Sequence, residues 1–168
     1  DMGNNPSPEP SGAHPRTVLT LYRVLEPNPF SAGTQTQAAV AYRFQYPDRQ
    51  RDAEALFIWQ GVPYVVEKRT NVSSRARLYK FPEPLNPAII STVELIGEFN
   101  NQGGNQITGA DISRDGKRLA LINDGNNFHW IIERAGNSTN ISDFFTSPKH
   151  QWRIQFFNNQ GEAIGFVN

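Results

Sequence analysis

The sequence predicts an all-β chain assembled from repeated sheets of four antiparallel strands. From Thr17 onward, short runs rich in Val, Ile, Leu, Phe and Tyr are separated by Gly, Asn, Asp and Pro, which is the punctuation of strands and turns. Helical i, i+3, i+4, i+7 spacing is nowhere sustained for three turns, and the prolines at 27, 29, 47, 63, 82, 84, 87 and 148 interrupt the stretches where it would start. Landmark residues also recur along the chain at a fixed spacing, and a repeat of that length outranks any single motif in deciding the fold.

Residues 1–16, DMGNNPSPEPSGAHPR, hold four prolines and almost no apolar side chain, so they read as an extended tail. Opening on Asp, they read either as a mature end left by cleavage or as a cut edge. Strands are expected at 17–24, 38–46, 53–59, 62–68, 75–81, 90–98, 107–113, 118–123, 127–133, 151–157 and 162–167. The chain has 168 residues, 38% of them apolar and 11% aromatic, enough for a core in one domain or in a piece of a larger repeat fold. Sixteen Lys and Arg balance sixteen Asp and Glu, which gives no electrostatic footprint for nucleic acid or an anionic membrane. No apolar run approaches the roughly 20 residues of a membrane-spanning helix. Without cysteine, disulfides and thiolate metal sites are excluded.

Two landmarks keep step across the repeats. An offset of 57 places Tyr22-Arg23-Val24-Leu25-Glu26-Pro27 on Tyr79-Lys80-Phe81-Pro82-Glu83-Pro84, and Glu54 on Asp111. An offset of 51 then places Tyr79 on Trp130 and Asp111 on Glu162. FNNQG also occurs at 99–103 and at 157–161. Each period holds four strands, which describes a β-propeller blade: full blades at 53–98 and 107–157, the ends of another at 17–46, and the start of a further one at 161–168. Asp115-Gly116 supplies the positive φ of a tight hairpin between a blade's first two strands. The competing architecture is a small β-sandwich.

The segments TGADISRDGKRLAL, DAEALFIWQGVPYVVEKR and QGEAIGF resemble bacterial-type propeller repeats of the WD40, NHL and TolB-like kind, over roughly residues 39–168. The resemblance implies the architecture and no particular activity. Two full blades do not close a propeller, so the remaining blades are expected from more of the same protein or from another chain, which includes self-assembly.

Glu54, Asp111 and Glu162 fall near the start of the expected innermost strands and would face the mouth of a central channel, where like charges repel unless something neutralises them. A hard cation such as Ca²⁺ would do so. Propeller lactonases and esterase-like phytases are similar in this respect. The alternative is that each acid is separately satisfied by strand-start amides or turns. Lys68, Arg69, Arg75 and Arg77 cluster around one hairpin, able to grip an anionic ligand or to pair with nearby acids such as Glu67. His14, His129 and His150 lack metal-ligand spacing, and no Gly-x-Ser-x-Gly elbow, dinucleotide fingerprint or P-loop occurs. Asn71, Asn137 and Asn140 begin Asn-x-Ser/Thr sequons in expected loops. Together these features point to an exported or extracellular, non-catalytic propeller module that binds or assembles with protein; the alternative is a metal-assisted propeller hydrolase of the phytase or lactonase type.

Overall fold

The computed structural model describes residues 2, 16–28, 30, 36–68, 75–100, 106–124, 128–155, 161 and 163–167. The chain is all-β. Its strands are β1 (Leu19–Arg23), β2 (Val40–Gln45), β3 (Ala53–Trp59), β4 (Val62–Glu67), β5 (Arg75–Lys80), β6 (Ile90–Thr92), β7 (Glu94–Asn100), β8 (Gln106–Ile112), β9 (Arg118–Asp124), β10 (Phe128–Arg134) and β11 (Pro148–Gln155). They form three sheets, ordered β1-β2-β6, β3-β4-β5-β7 and β8-β9-β10-β11. The second and third sheets each hold four antiparallel strands, paired in the order the sequence predicts.

The sheets stack in series with one apolar layer between each neighbouring pair. Leu19, Leu21, Tyr42 and Phe44 of the first sheet meet Ala53, Val65 and Tyr79 of the second. Ala55, Phe57, Tyr64, Val66 and Leu78, on the opposite face of the second sheet, meet Ile107, Leu119, Leu121, Trp130 and Ile132 of the third. Period-2 alternation produces this two-sided burial, since successive residues of β4 and β5 point into different layers. The second and third sheets approach most closely along β3 and β8. Toward their outer strands the gap is filled by a single helical turn, α1 (Asp143–Thr146), whose Phe144 and Phe145 are buried and which packs against β7 and β10.

The register of these two sheets tests the repeat directly. Val65 of β4 pairs with Tyr79 of β5, and Leu121 of β9 pairs with Trp130 of β10, so Tyr79 and Trp130 are equivalent, as the offset of 51 requires. The first strands correct the other landmark. A bulge falls between Ala53 and Ala55 in β3 and between Ile107 and Gly109 in β8, which places Glu54 on Thr108 and Phe57 on Asp111. The true offset of the inner strands is 54 rather than 57, and the loop that closes β8 on β9 is two residues longer than the Gln60-Gly61 turn of β3 and β4, which masked the slip.

Two further differences have local causes. The expected strand 90–98 divides at Val93: Ile90–Thr92 pairs parallel with β2, Val93 N donates to Gln45 O at 3.1 Å, and Glu94–Asn100 crosses to pair with β5. Val93 is buried in the first apolar layer, so this connection ties the first two sheets together. Second, residues 163–167 form no strand. Their backbone is held by side chains of the third sheet instead of by a ladder, with Phe166 N donating to Asp111 Oδ2 at 2.7 Å.

Gly116 adopts the expected positive φ, 67°, in the β8–β9 turn. A Cβ there would fall 2.3 Å from the Trp59 ring and 2.9 Å from Arg134 Nη2. Gly61, at φ 82°, has nothing within 4 Å of the same position. Gly61→Ala therefore carries only the left-handed backbone cost of about 1–2 kcal/mol. Gly116→Ala adds a clash with packed side chains and should lose about 3 kcal/mol or more. Denaturant unfolding of the two variants checks this, and equal losses would show that the Trp59 contact yields freely.

Candidate functional site

The densest set of charged side chains lies where β3, β4 and β5 meet the chain leading out of β2. Arg51, 4% exposed, donates through Nε to Asp48 Oδ1 at 3.3 Å and through Nη1 to Glu67 Oε1 at 3.0 Å, and its Nη2 bonds Asp48 Oδ2. Glu67 Oε2 lies 3.7 Å from Arg77 Nη1. Arg77 Nε donates to Glu98 Oε1 at 2.7 Å, and Arg75 Nη1 donates to Glu98 Oε2 at 3.2 Å. The order Asp48, Arg51, Glu67, Arg77, Glu98, Arg75 alternates in sign and sums to zero, so the row neutralises itself and leaves no net field for an anion. Each guanidinium fork is matched to carboxylates, the geometry for which arginine is suited.

Two aromatic rings seal the inner end of this row. Tyr46 and Tyr79 meet edge to face with centroids 4.8 Å apart, and neither hydroxyl finds a hydrogen-bond partner among the described residues. Burial pushes the Tyr79 phenol up to about 12, and burial raises Tyr46 further, so both stay neutral. Glu98 moves the other way, because the bond from Arg77 holds its carboxyl below the usual range.

The sequence-predicted residues fall as follows. Lys68 Nζ bonds Glu54 Oε1 at 2.6 Å, while Arg75 and Arg77 are engaged by Glu98 and Glu67. Three of the four predicted anion-gripping cations thus face carboxylates of this chain; Arg69 lies outside the described residues. Of the predicted calcium ligands, Glu54 pairs with Lys68 and Asp111 accepts from Phe166 N, and Glu162 lies outside the described residues. Glu54 and Asp111 do not occupy equivalent places in their sheets, and no three His, Asp or Glu side chains among the described residues are gathered as a metal-binding group. Asn137 and Asn140 are exposed in the loop before α1, where Asn140 Oδ1 accepts from Ser142 N at 3.1 Å; Asn71 lies outside the described residues.

Two features escaped the sequence reading. Arg134, 5% exposed, lies between Trp59 and Phe144, its guanidinium carbon 5.8 and 5.5 Å from the two ring centroids. Its charge is held by aromatic faces rather than by a carboxylate, a contact between distant strands that spacing does not reveal. Thr108 is the second, since its hydroxyl bonds Gly161 O and so anchors the residues that follow the third sheet. No family model, curated protein or solved structure matches the chain.

His129 is buried and accepts from Asn123 N through Nδ1 at 3.3 Å, and burial depresses its pKa. A base depressed in the fold contributes stability that is complete above its unfolded value, near 6.5, and is lost as pH falls from there through the lower folded value. Glu98, also depressed, contributes stability present above about 4.5 and lost as pH falls through its folded value. Melting temperature should therefore decline in two limbs on acidification. His129→Leu should remove the upper limb and Glu98→Gln flatten the lower, as read by thermal melts across the pH range; a wild-type curve flat from neutral pH down to the carboxylate range would overturn the His129 assignment, and a lower limb that Glu98→Gln leaves unchanged would overturn the other.

Proposed function

We propose that the chain is a non-catalytic β-propeller module, exported or extracellular, that serves as a binding or assembly platform. The observation that carries this reading is the serial stacking of three sheets, close at β3 and β8 and wedged apart by α1 toward the outer strands. A radial array of blades has this taper, whereas a two-layer sandwich has one apolar layer between two sheets. The self-neutralised ionic row and the separately engaged Glu54 and Asp111 favour a structural use of these charges over a catalytic one. The exposed sequons at Asn137 and Asn140 favour passage through a secretory pathway.

The test compares the platform with metal-assisted hydrolysis. Thermal melts with added Ca²⁺ and with a chelator should coincide, and phosphate-ester and lactone substrates should remain intact. A chelator-induced fall in melting temperature that Glu54→Gln abolishes would overturn the platform reading, because a cation bound only to the folded state stabilises by mass action. Expressed through a eukaryotic secretory pathway, the chain should lose mass on N-glycosidase treatment, and Asn137→Gln with Asn140→Gln should reduce that loss. An unchanged mass for the wild type would remove the support that these sequons give to export.

A further inference from the structure

We propose that the cleft between one end of the second sheet and the loop before α1 binds a neutral saccharide. The inference rests on the reading of the chain as a binding platform and names the ligand class of one site on it. Antiparallel order brings the end of β3, the start of β4, the end of β5 and the start of β7 to the same edge, and residues 139–141 complete the cleft there. It encloses about 400 Å³, within the roughly 300–1,000 Å³ usual for small-molecule sites.

The apolar part of the cleft is held in place by the core. Val62 and Ile141 belong to the apolar layer between the second and third sheets, and Trp59 and Ile96 pack against that layer. Arg134 lies 5.8 Å from the Trp59 ring centroid, and Trp59 packs so closely on Gly116 that a Cβ there would fall 2.3 Å from the ring. A partly exposed aromatic ring fixed in this way is a preorganised wall for the C–H face of a sugar.

The polar groups around this wall are of both kinds and largely unengaged. Tyr64 is 5% exposed, and its hydroxyl bonds no described residue; unlike the hydroxyls of Tyr46 and Tyr79 it is not closed off from solvent, so it opens into the cleft. Burial raises its pKa, which keeps the proton on and lets the hydroxyl donate as well as accept. Asn140 Oδ1 faces Ser142 N, a donor at 3.1 Å, so Asn140 Nδ2 is turned away from Ser142 and remains available. Lys80 bonds Glu83 Oε2 at 3.0 Å and stands opposite Glu94 in the β5–β7 register, so one cation meets two carboxylates. That excess of negative charge disfavours a phosphate or other anion and leaves Glu94 as a strong acceptor. A cationic ligand would satisfy the carboxylate alone, whereas hydroxyls serve Glu94, Tyr64 and the amides together. Gln60 supplies a further amide at the rim, from a backbone with φ 50°. Glycine or asparagine would adopt that turn conformation at lower cost, and a long amide kept at a strained position is accounted for by what it reaches.

The test uses the full chain produced in bacteria without glycosylation, titrated with glucose, galactose and N-acetylglucosamine and followed by NMR. At least one sugar should shift the Trp59 indole and Tyr64 signals saturably at millimolar concentration and leave the exposed Trp152 indole unmoved. Gln60→Gly and Glu94→Gln should each weaken that sugar by about five- to tenfold, the loss expected for one hydrogen bond. Gln60→Gly should also melt no lower than the wild type, because glycine accommodates the positive φ, so its weaker binding is not a folding defect. Absence of any sugar-induced shift at Trp59, or binding that neither variant weakens, would refute the proposal. So would signals that move with n-butylammonium and with none of the sugars, since the cleft would then be a cation site. A saccharide here has two sources, a free or partner-borne sugar and a glycan carried by Asn140 itself. Ser142→Ala separates them, because it breaks the Asn140 sequon while keeping Asn140 and its backbone bond, and the Ser142 side chain makes no cap bond to α1. If free sugar binds secreted Ser142→Ala and not the secreted wild type, the chain's own glycan fills the cleft; binding by both assigns the site to a free or partner-borne sugar. Failure of every sugar leaves the chelator and substrate measurements untouched, so the two readings fail separately.

Discussion

Everything in this molecule depends on how closely β3 can approach β8. Each strand carries a small residue in the layer between them: Ala55 in β3 and Ala110 in β8. Small side chains let the backbones come near, and distance from this seam is filled by larger groups, through Phe57 stacked on Tyr64 with centroids 5.1 Å apart, then Trp130 against Phe99 at 5.2 Å, then Phe145 against Phe99 at 5.3 Å. Volume increasing from the seam outward forces the sheets to diverge, because a close-packed interior accepts neither voids nor overlap. Gly97 of β7 belongs to the same constraint, since a Cβ there would lie 3.1 Å from Phe145 Cβ and push α1 out of the wedge.

The ion-pair row and Arg134 lie where neighbouring sheets are joined. The row from Asp48 to Arg75 runs from the connection after β2 across β4 and β5 to β7, so it links the first two sheets through side chains while Val93 links them through backbone. Removing one member of a buried pair leaves its partner charged and desolvated, a loss much larger than the pair's own net contribution. Such a row therefore penalises wrong registers more than it stabilises the right one. Arg134 does the equivalent work between the second and third sheets with aromatic faces instead of acids, held against Trp59 of β3 and Phe144 of α1.

Strand existence was legible in the sequence because Gly, Asn, Asp and Pro bound nearly every strand, and the Tyr79–Trp130 equivalence was legible because no bulge lies between those residues and their β4 and β9 partners. The acids were aligned wrongly for a related reason. A bulge adds a residue to one strand without changing its composition, and the β8–β9 turn is longer than the β3–β4 turn, so the resemblance of Glu54 to Asp111 outweighed a register that spacing alone does not reveal. The helix α1 was hidden by its length: one turn shows no period, and Phe144-Phe145 between polar residues reads equally well as loop. The division at Val93 was hidden because Ile90-Ser91-Thr92 and the residues after it have the same strand composition, while their partners belong to different sheets.

The corrected register also explains why the second and third sheets are not built alike. Blade to blade, Phe57 becomes Asp111, Leu78 becomes His129 and Tyr64 becomes Ala120, so the face that the second sheet buries under the third is replaced near the seam by smaller and more polar groups. Apolar bulk at those positions would leave the outward face of the third sheet with unsupported hydrophobic surface. The residues present instead bond a passing backbone: Asp111 receives Phe166 N and Thr108 holds Gly161 O. The inner part of that face thus bonds the main chain of the residues that follow the third sheet, while its outer part, with Trp152 and Ile154, is apolar and partly exposed.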